Sequence, residues 1–179
     1  NISVNDLIWP IFLIEGRDKI EPINELPGVN RYTVDKLIEI ASKAFELGIK
    51  CVALFPRTPT NLKTQNCEEA YNPENLVNRA TRLLKKKIPD LGIMLDVALD
   101  PYNSLGHDGL VKDGKILNDE TLEILIKQSL VQAESGADIL GPSDMMDGRV
   151  QLNRENLEKN NLKKTLILSY SAKLSSGFY

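Results

Sequence analysis

Residues 33–55 read TVDKLIEIASKAFELGIKCVALF, and this stretch decides the fold. Up to Gly48, apolar side chains recur on one stripe of a helix, and glycine easily adopts the left-handed conformation that ends helices. The nearly continuous apolar run 51–55 then predicts a strand covered on both faces, which is typical of parallel sheets. A helix that leads directly into such a strand indicates a βαβ unit.

The alternation of strands and helices extends along the rest of the chain. Asn72-Pro73-Glu74 predicts a second helix, with an N-cap, a proline at the first helical position and an acid in the first turn. Asn118-Asp119-Glu120 opens a third helix in the same way, and Gly136 ends it. Four further apolar runs predict buried strands at 7–13, 93–99, 137–140 and 166–169.

This pattern predicts an α/β fold, either a TIM (β/α)8 barrel or an open doubly wound sheet. No Gly-x-Gly-x-x-Gly follows a predicted strand, so the barrel is favoured over a dinucleotide-binding sheet. A complete barrel takes about 250 residues, so we expect residues 1–179 to form a single incomplete barrel domain of about five βα units. The chain begins with Asn1 and closes without a helix cap or polar tail, so both ends are expected to be cuts in a longer chain.

Composition and charge exclude several classes of function. A net charge of −3 provides no positive field for nucleic acid or anionic lipid. No apolar stretch approaches the roughly 20 residues that cross a bilayer, and no signal-peptide pattern opens the chain. Cys51 and Cys67 lack a CxxC spacing, so no disulfide framework is expected. We predict a cytoplasmic protein without nucleic-acid or membrane partners.

A long loop is predicted after the third strand, from Pro101 to Leu117. Within it, Asp113-Gly114 lies between flanking pairs of residues, which is typical of a type I′ hairpin over 111–116. Loops of this length tend to carry function.

Polar side chains follow three of the predicted strands, and in a parallel barrel these strand ends converge on one mouth. Asp96 alternates with apolar residues, so its carboxylate is expected to be buried and to need a partner, in a structural or a functional role. Lys173 has apolar and hydroxyl neighbours, and burial would ease the loss of its proton. A neutral amine can attack a ketone, although a lysine at such a position is, taken alone, more often a solvated loop residue.

Two further polar groups have structural interpretations. Asp147-Gly148-Arg149 can hold an ion pair between its acid and its base. His107 is the only histidine, which excludes a multi-histidine metal centre and leaves a hydrolase triad without support. We expect His107 to be structural or adjacent to substrate.

Several strings resemble the porphobilinogen synthase family in order and spacing, and the resemblance covers almost the whole chain. SDMMDGR and SYSAK are far more specific than a lone glycine motif. The matching strings are Trp9-Pro10-Ile11-Phe12, Leu26-Pro27-Gly28-Val29, Leu95-Asp96-Val97-Ala98-Leu99-Asp100-Pro101-Tyr102, Gly106-His107-Asp108-Gly109, Pro142-Ser143-Asp144-Met145-Met146-Asp147-Gly148-Arg149 and Ser169-Tyr170-Ser171-Ala172-Lys173.

The resemblance implies a TIM barrel that condenses two 5-aminolevulinate molecules into porphobilinogen, a hydro-lyase reaction of tetrapyrrole and heme biosynthesis that uses lysine Schiff bases. Lys173 would be the first of two such lysines. Asp96 and Ser143 would bind a substrate amino group, and Tyr179 would begin the active-site lid. The second lysine and the residues that hold the substrate carboxylates would lie after Tyr179. The family also implies a homo-octamer built from dimers, in which each subunit has an N-terminal arm. Residues 1–179 would lack most of this arm.

The metal pattern differs from that of zinc-dependent members of the family. These place three cysteines where this chain has Ala98, Asp100 and Asp108, and thiolate is the ligand that zinc prefers. The chain therefore resembles the zinc-independent, aspartate-rich type, for which the resemblance implies magnesium as an allosteric activator. Asp100 and Asp108 are candidate ligands, and no zinc is expected.

Two other interpretations remain open. Lys173 and Asp96 would also suffice for another Schiff-base barrel aldolase or lyase. Alternatively, residues 1–179 are an inactive fragment that only assembles, and we expect this polypeptide alone to make no porphobilinogen.

Overall fold

The computed structural model describes residues 1–172 and Leu174. The strands are β1 (Ile8–Leu13), β2 (Ile20–Pro22), β3 (Asn30–Tyr32), β4 (Cys51–Pro56), β5 (Gly92–Val97), β6 (Val111–Lys112), β7 (Lys115–Ile116), β8 (Ile139–Pro142) and β9 (Leu166–Ile167). The helices are α1 (Val34–Glu46), α2 (Leu76–Lys87), α3 (Asn118–Glu134) and α4 (Arg149–Lys159). Short 3₁₀ turns lie at Val4–Asp6, Thr60–Leu62 and Glu68–Tyr71.

The main sheet confirms the predicted α/β architecture. Its strand order is β2-β3-β1-β4-β5-β8-β9. From β1 to β9 the neighbours are parallel and follow the order of the chain, as consecutive strands of a barrel do. These are the five predicted strands, with a helix between each pair of them. Their carboxyl ends therefore lie along one edge of the sheet.

Strands β2 and β3 extend the sheet beyond β1 and were not predicted. β3 is parallel to β1, whereas β2 is antiparallel to β3. Glu21 lies opposite Arg31 in this pair and binds its guanidinium at 3.0 Å, and Arg57 binds the same carboxylate at 2.6 Å. Strands of three residues that include charges and Pro22 have no apolar alternation to detect, so only the structure reveals them.

Two helix boundaries test the sequence signals. Thr33 is the N-cap of α1, and Gly48 follows the helix with a φ of +95°, as predicted. The predicted start of α2 at Asn72 is wrong by three residues, because Asn75 is the N-cap and accepts a hydrogen bond from Asn78 N at 3.0 Å. Asn72 instead accepts from Glu74 N at 2.9 Å, which is an Asx turn before the helix.

The long loop after β5 contains the predicted hairpin. β6 and β7 are antiparallel, and both turn residues have positive φ, 51° at Asp113 and 73° at Gly114, as a type I′ turn requires. The start of the loop is held to the loop after β4, because Thr64 N donates to Tyr102 O at 3.1 Å and Ser104 N donates to Thr64 O at 3.0 Å.

The core lies between the sheet and the helices that cover it. Both cysteines are free, as expected. Among the described residues, no helix has the length and apolar character needed to cross a membrane. Fully buried side chains include Leu13, Leu54, Leu95 and Leu140 from the sheet and Leu37, Leu84 and Leu125 from the helices.

Candidate active site at the carboxyl edge of the sheet

The structure brings Asp96 and Ser143 together at the carboxyl edge of the sheet. Asp96 is the penultimate residue of β5 and is in register with Gly141 of β8. Ser143 comes directly after β8. Because the two strands are parallel neighbours, the aspartate and the serine reach the same edge, and their side chains interact.

Asp96 carries a carboxyl group whose charge is disfavoured. Its Oδ1 is buried and has no hydrogen-bond partner within the described part of the chain. Burial raises the pKa of Asp96 to about 7, against the lowering effect of a hydrogen bond with Ser143, and the charges of Asp100, Asp108 and Asp144 raise it further. Asp96 can therefore take up or release a proton near neutral pH.

A second buried carboxyl group, that of Asp144, lies just after Ser143. Its side chain is 0% exposed; Oδ1 accepts from Met146 N at 2.8 Å, and Oδ2 lies 3.6 Å from Nε of Arg149. Burial raises its pKa to about 6, although the Met146 bond and the Arg149 charge lower it. The ion pair expected between Asp147 and Arg149 is therefore replaced by one with Asp144.

The chain after β9 passes over the same edge of the sheet. The ring of Tyr170 packs against Gly141, where an added Cβ would lie 3.1 Å from Cε2 of the tyrosine. Nη2 of Arg149 donates to Tyr170 O at 3.4 Å. This segment leads toward Lys173, but Lys173 and Tyr179 lie outside the described residues.

The candidate metal ligands lie near Asp96 without forming a closed ion site. Asp100 is exposed and Asp108 is half-buried, and the charges of both raise the pKa of Asp96. Across residues 1–172 and Leu174, no group of three or more His, Cys, Asp or Glu side chains could hold a metal ion.

His107 closes a local turn in the loop after β5. Its Nδ1 accepts a hydrogen bond from Gly109 N at 2.9 Å, which supports the structural interpretation. A cleft of about 580 Å³ lies elsewhere, beside the Glu68–Tyr71 turn, and its lining includes neither Asp96 nor Ser143. The chemistry-bearing residues are thus gathered at an open edge and not in this cleft.

Two buried glutamines of α3 support the site and were missed by sequence reasoning. Gln132 Nε2 donates to Asp96 O at 2.8 Å, and Gln128 Nε2 donates to Ala98 O at 3.1 Å. Both side chains belong to residues that are at most 1% exposed. Their spacing of four residues, on the face of the helix that carries Leu125, was the available signal.

Comparisons with known proteins agree with this geometry. A sequence profile described as delta-aminolevulinic acid dehydratase matches residues 1–179. The delta-aminolevulinic acid dehydratase of Bradyrhizobium diazoefficiens is 52% identical over 178 residues, which cover 99% of this chain and 50% of that protein. The Rhodobacter capsulatus protein of the same name is 48% identical over 178 residues, which cover 99% of this chain and 54% of that protein.

A solved structure shows the same fold. It is the crystal structure of delta-aminolevulinic acid dehydratase (porphobilinogen synthase) from Toxoplasma gondii ME49 in complex with the reaction product porphobilinogen. It matches with a TM-score of 0.96 and 43% sequence identity, over 100% of this chain and 51% of that chain. The chain thus spans about half the length of the relatives that it matches.

Proposed function

Because the chain belongs to the delta-aminolevulinic acid dehydratase family, we propose that the protein containing it condenses two 5-aminolevulinate molecules into porphobilinogen with loss of water. The match to the family over residues 1–179 carries this proposal. It is supported by the buried Asp96 beside Ser143, where two neighbouring strands end. The reaction belongs to tetrapyrrole and heme biosynthesis.

Lys173 is the proposed covalent catalyst. Its neutral ε-amino group would add to the ketone carbon of a substrate, and loss of the ketone oxygen as water would leave a Schiff base. The iminium draws electrons from the adjacent carbon, which allows a new bond to form. The placement of Tyr170 over Gly141 supports this role, because Tyr170 lies beside β8 and precedes Lys173 by three residues in the sequence.

Asp96 and Ser143 are the proposed partners of a substrate amino group. An ammonium beside Asp96 would supply a positive charge opposite its buried carboxylate, and Ser143 can accept or donate a hydrogen bond. A pKa of about 7 lets Asp96 also exchange a proton with that amino group near neutral pH. Tyr179 is proposed to begin the lid over this site.

The proposed metal dependence is that of a zinc-independent enzyme with magnesium as activator. Ala98, Asp100 and Asp108 offer no thiolate for zinc, whereas the two carboxylates can hold magnesium together with water. We expect magnesium to restore the activity of chelator-treated protein and zinc not to do so. Restoration by zinc alone would contradict this assignment.

The proposed assembly is a homo-octamer built from dimers, in the cytoplasm. The absence of a membrane-crossing helix among the described residues is compatible with that location. Light scattering of the natural polypeptide would measure its mass in solution and test the octamer directly.

Borohydride trapping tests the proposed chemistry. The natural polypeptide that contains this chain, incubated with 5-aminolevulinate and reduced, is expected to gain on Lys173 the mass of one substrate less one water plus two hydrogens, as a secondary amine. Lys173→Arg should abolish this label, whereas Lys164→Arg, at an exposed position, should retain it. Labelling by a sugar phosphate alone would favour another Schiff-base aldolase. No label on Lys173 with either compound would exclude both reactions.

A further inference from the structure

The backbone carbonyl of Asp96 lies at a position of β5 where the neighbouring strand, β4, has no N–H to donate to it. Gly92 N donates to Lys50 O at 2.8 Å, so Gly92 turns its backbone groups toward β4. Because these groups alternate sides along a strand, Asp96 turns its own toward β4 as well. Continuing the register in which Leu54 faces Leu95 places Pro56 N opposite Asp96 O. Proline has no N–H, so the ladder cannot supply this bond.

Side chains from α3 supply the missing donors. Gln132 Nε2 lies 2.8 Å from Asp96 O, and Gln128 Nε2 lies 3.1 Å from Ala98 O. The carbonyls of residues 96 and 98 are both bonded by glutamines that lie one turn apart on one face of the helix. Two points on the strand end are therefore fastened to the same helix.

The glutamines are costly choices for the interior. Both residues are at most 1% exposed, and their Oε1 atoms have no hydrogen-bond partner among the residues that the structure describes. An apolar side chain would leave no such atom unpaired, so packing alone does not explain an amide at either position. What the amides provide is a fixed position for the backbone that carries Asp96.

We propose that Gln132, with Gln128 as a second anchor, is a positioning residue that sets where the Asp96 carboxyl stands beside Ser143. This inference rests on the proposed function. It assigns to Gln132 no contact with substrate. A displacement of about 1 Å at a catalytic group can cost a hundredfold in rate, so losing this anchor should be visible in kinetics.

The central experiment replaces Gln132 by methionine in the natural polypeptide. Gln132→Met keeps the length of the side chain and removes the donor. We expect kcat/KM for 5-aminolevulinate to fall at least tenfold and the substrate concentration for half-maximal borohydride labelling of Lys173 to rise. Ser129→Ala is the matched control, since Ser129 is buried on the same helix and its hydroxyl donates to Ile126 O of that helix at 2.9 Å. It should leave both quantities near their wild-type values.

A rescue separates positioning from general damage to the fold. Pro56→Ala gives β4 the N–H that Asp96 O lacks, so Gln132→Met combined with Pro56→Ala should regain most of the lost kcat/KM. Pro56→Ala alone should have little effect. In an Asp96→Asn background, Gln132→Met should cause no further rise in the half-labelling concentration, because the carboxylate that it positions is gone.

Three results would overturn the proposal: wild-type kinetics in Gln132→Met, an undiminished effect of Gln132→Met in the Asp96→Asn background, or no gain from Pro56→Ala. If Gln132→Met does not fold, Gln128→Met carries the kinetic comparison and the comparison in the Asp96→Asn background, with a smaller loss expected because its bond is longer. The Pro56→Ala rescue does not apply to Gln128→Met, because Gln128 bonds to Ala98 O and not to Asp96 O. If 5-aminolevulinate and borohydride leave the wild-type protein without a label on Lys173, the proposed function is wrong, and this inference is wrong with it. If the wild-type protein is labelled and the Gln132 variants have wild-type kinetics, only the positioning role is contradicted.

Discussion

At the scale of single residues, Asp96 links the candidate site to the stability of the protein. Burial raises its pKa to about 7, whereas an aspartate in an unfolded chain has a pKa of about 3.9. The folded state therefore binds this proton more tightly than the unfolded state. Between these two pH values, the free energy of unfolding falls as pH rises. Above pH about 7, the buried charge of Asp96 lowers the free energy of unfolding by its full amount, at most about 4 kcal/mol.

Asp96→Asn should therefore stabilise the protein in a pH-dependent way. Asparagine keeps the shape and removes the buried charge, so we expect a higher melting temperature than wild type at pH about 8 and little difference at pH about 5. Thermal unfolding at both pH values measures the effect. Asp90→Asn, at an exposed position, is the matched control and should not reproduce it. An equal shift at both pH values would mean that the buried charge is not responsible.

Arg149 allows a buried carboxylate to be tested by removing its cation, because Nε of Arg149 lies 3.6 Å from Oδ2 of the buried Asp144. Arg149→Met leaves Asp144 without a counter-charge and should cost about 3 kcal/mol of unfolding free energy at pH about 8. The pKa of Asp144, raised to about 6, should rise further without the arginine, so the loss should shrink as pH falls and the carboxyl takes up its proton. Denaturant unfolding at two pH values measures both effects.

A second substitution checks the cause of that loss. In the Arg149→Met protein, Asp144→Asn should recover part of the stability at pH about 8, since the buried charge at position 144 is then gone. Failure to recover would indicate that the bonds of Arg149 to the carbonyls of Met146 and Tyr170 matter more than its charge.

At the scale of elements, the start of α2 separates two asparagines that look alike in sequence. Asn75 is 1% exposed, caps the helix and also donates to Glu69 O at 3.0 Å, whereas Asn72 is only partly buried. We expect Asn75→Ala to cost about 2 kcal/mol and Asn72→Ala less than about 1 kcal/mol. Denaturant unfolding of the two variants compares them directly. Equal losses of stability in the two variants would contradict the assignment of the N-cap to Asn75 alone.

The elements that sequence predicts well are those with a long apolar pattern. The five parallel strands and α1 follow from runs such as 51–55, and the hairpin follows from Asp113-Gly114. β2 and β3 are too short and too charged to show a pattern. The start of α2 was misplaced because Asn72-Pro73-Glu74 satisfies the rules for a helix start, while the tertiary contacts of Asn75 decide the outcome.

The position of the candidate site was predictable from the sequence, but the contacts that hold its residues in place were not. Asp96 was expected to be buried because it alternates with apolar residues, and the parallel order of strands placed it near Ser143. The pairing of Asp144 with Arg149 and the anchoring of Asp96 by Gln132 depend on how a helix meets a strand end. No local spacing encodes those contacts, so only the assembled fold reveals them.

At the scale of the whole molecule, β9 presents an apolar edge. It is the last strand of the sheet among the described residues, and Leu166 and Leu168 are 61% and 46% exposed. Tyr170, over the carboxyl edge of β8, is 43% exposed. Unpaired strand edges with apolar side chains are templates for association with other chains. The matched relatives are about twice as long as this chain, and a barrel would cover such an edge with its next strand.

A polypeptide made of residues 1–179 alone should therefore associate through β9 and make no porphobilinogen, whereas the natural polypeptide should be active. Size-exclusion chromatography and a porphobilinogen assay measure the two properties. Leu166→Lys combined with Leu168→Lys should reduce association, because charges along an edge strand oppose pairing. Leu47→Lys is the control, since Leu47 is 77% exposed at the end of α1, away from this edge, and should leave association unchanged. A monomeric 1–179 polypeptide that turns over 5-aminolevulinate would show that the described strands need no further partner, and it would place the whole catalytic apparatus within this chain.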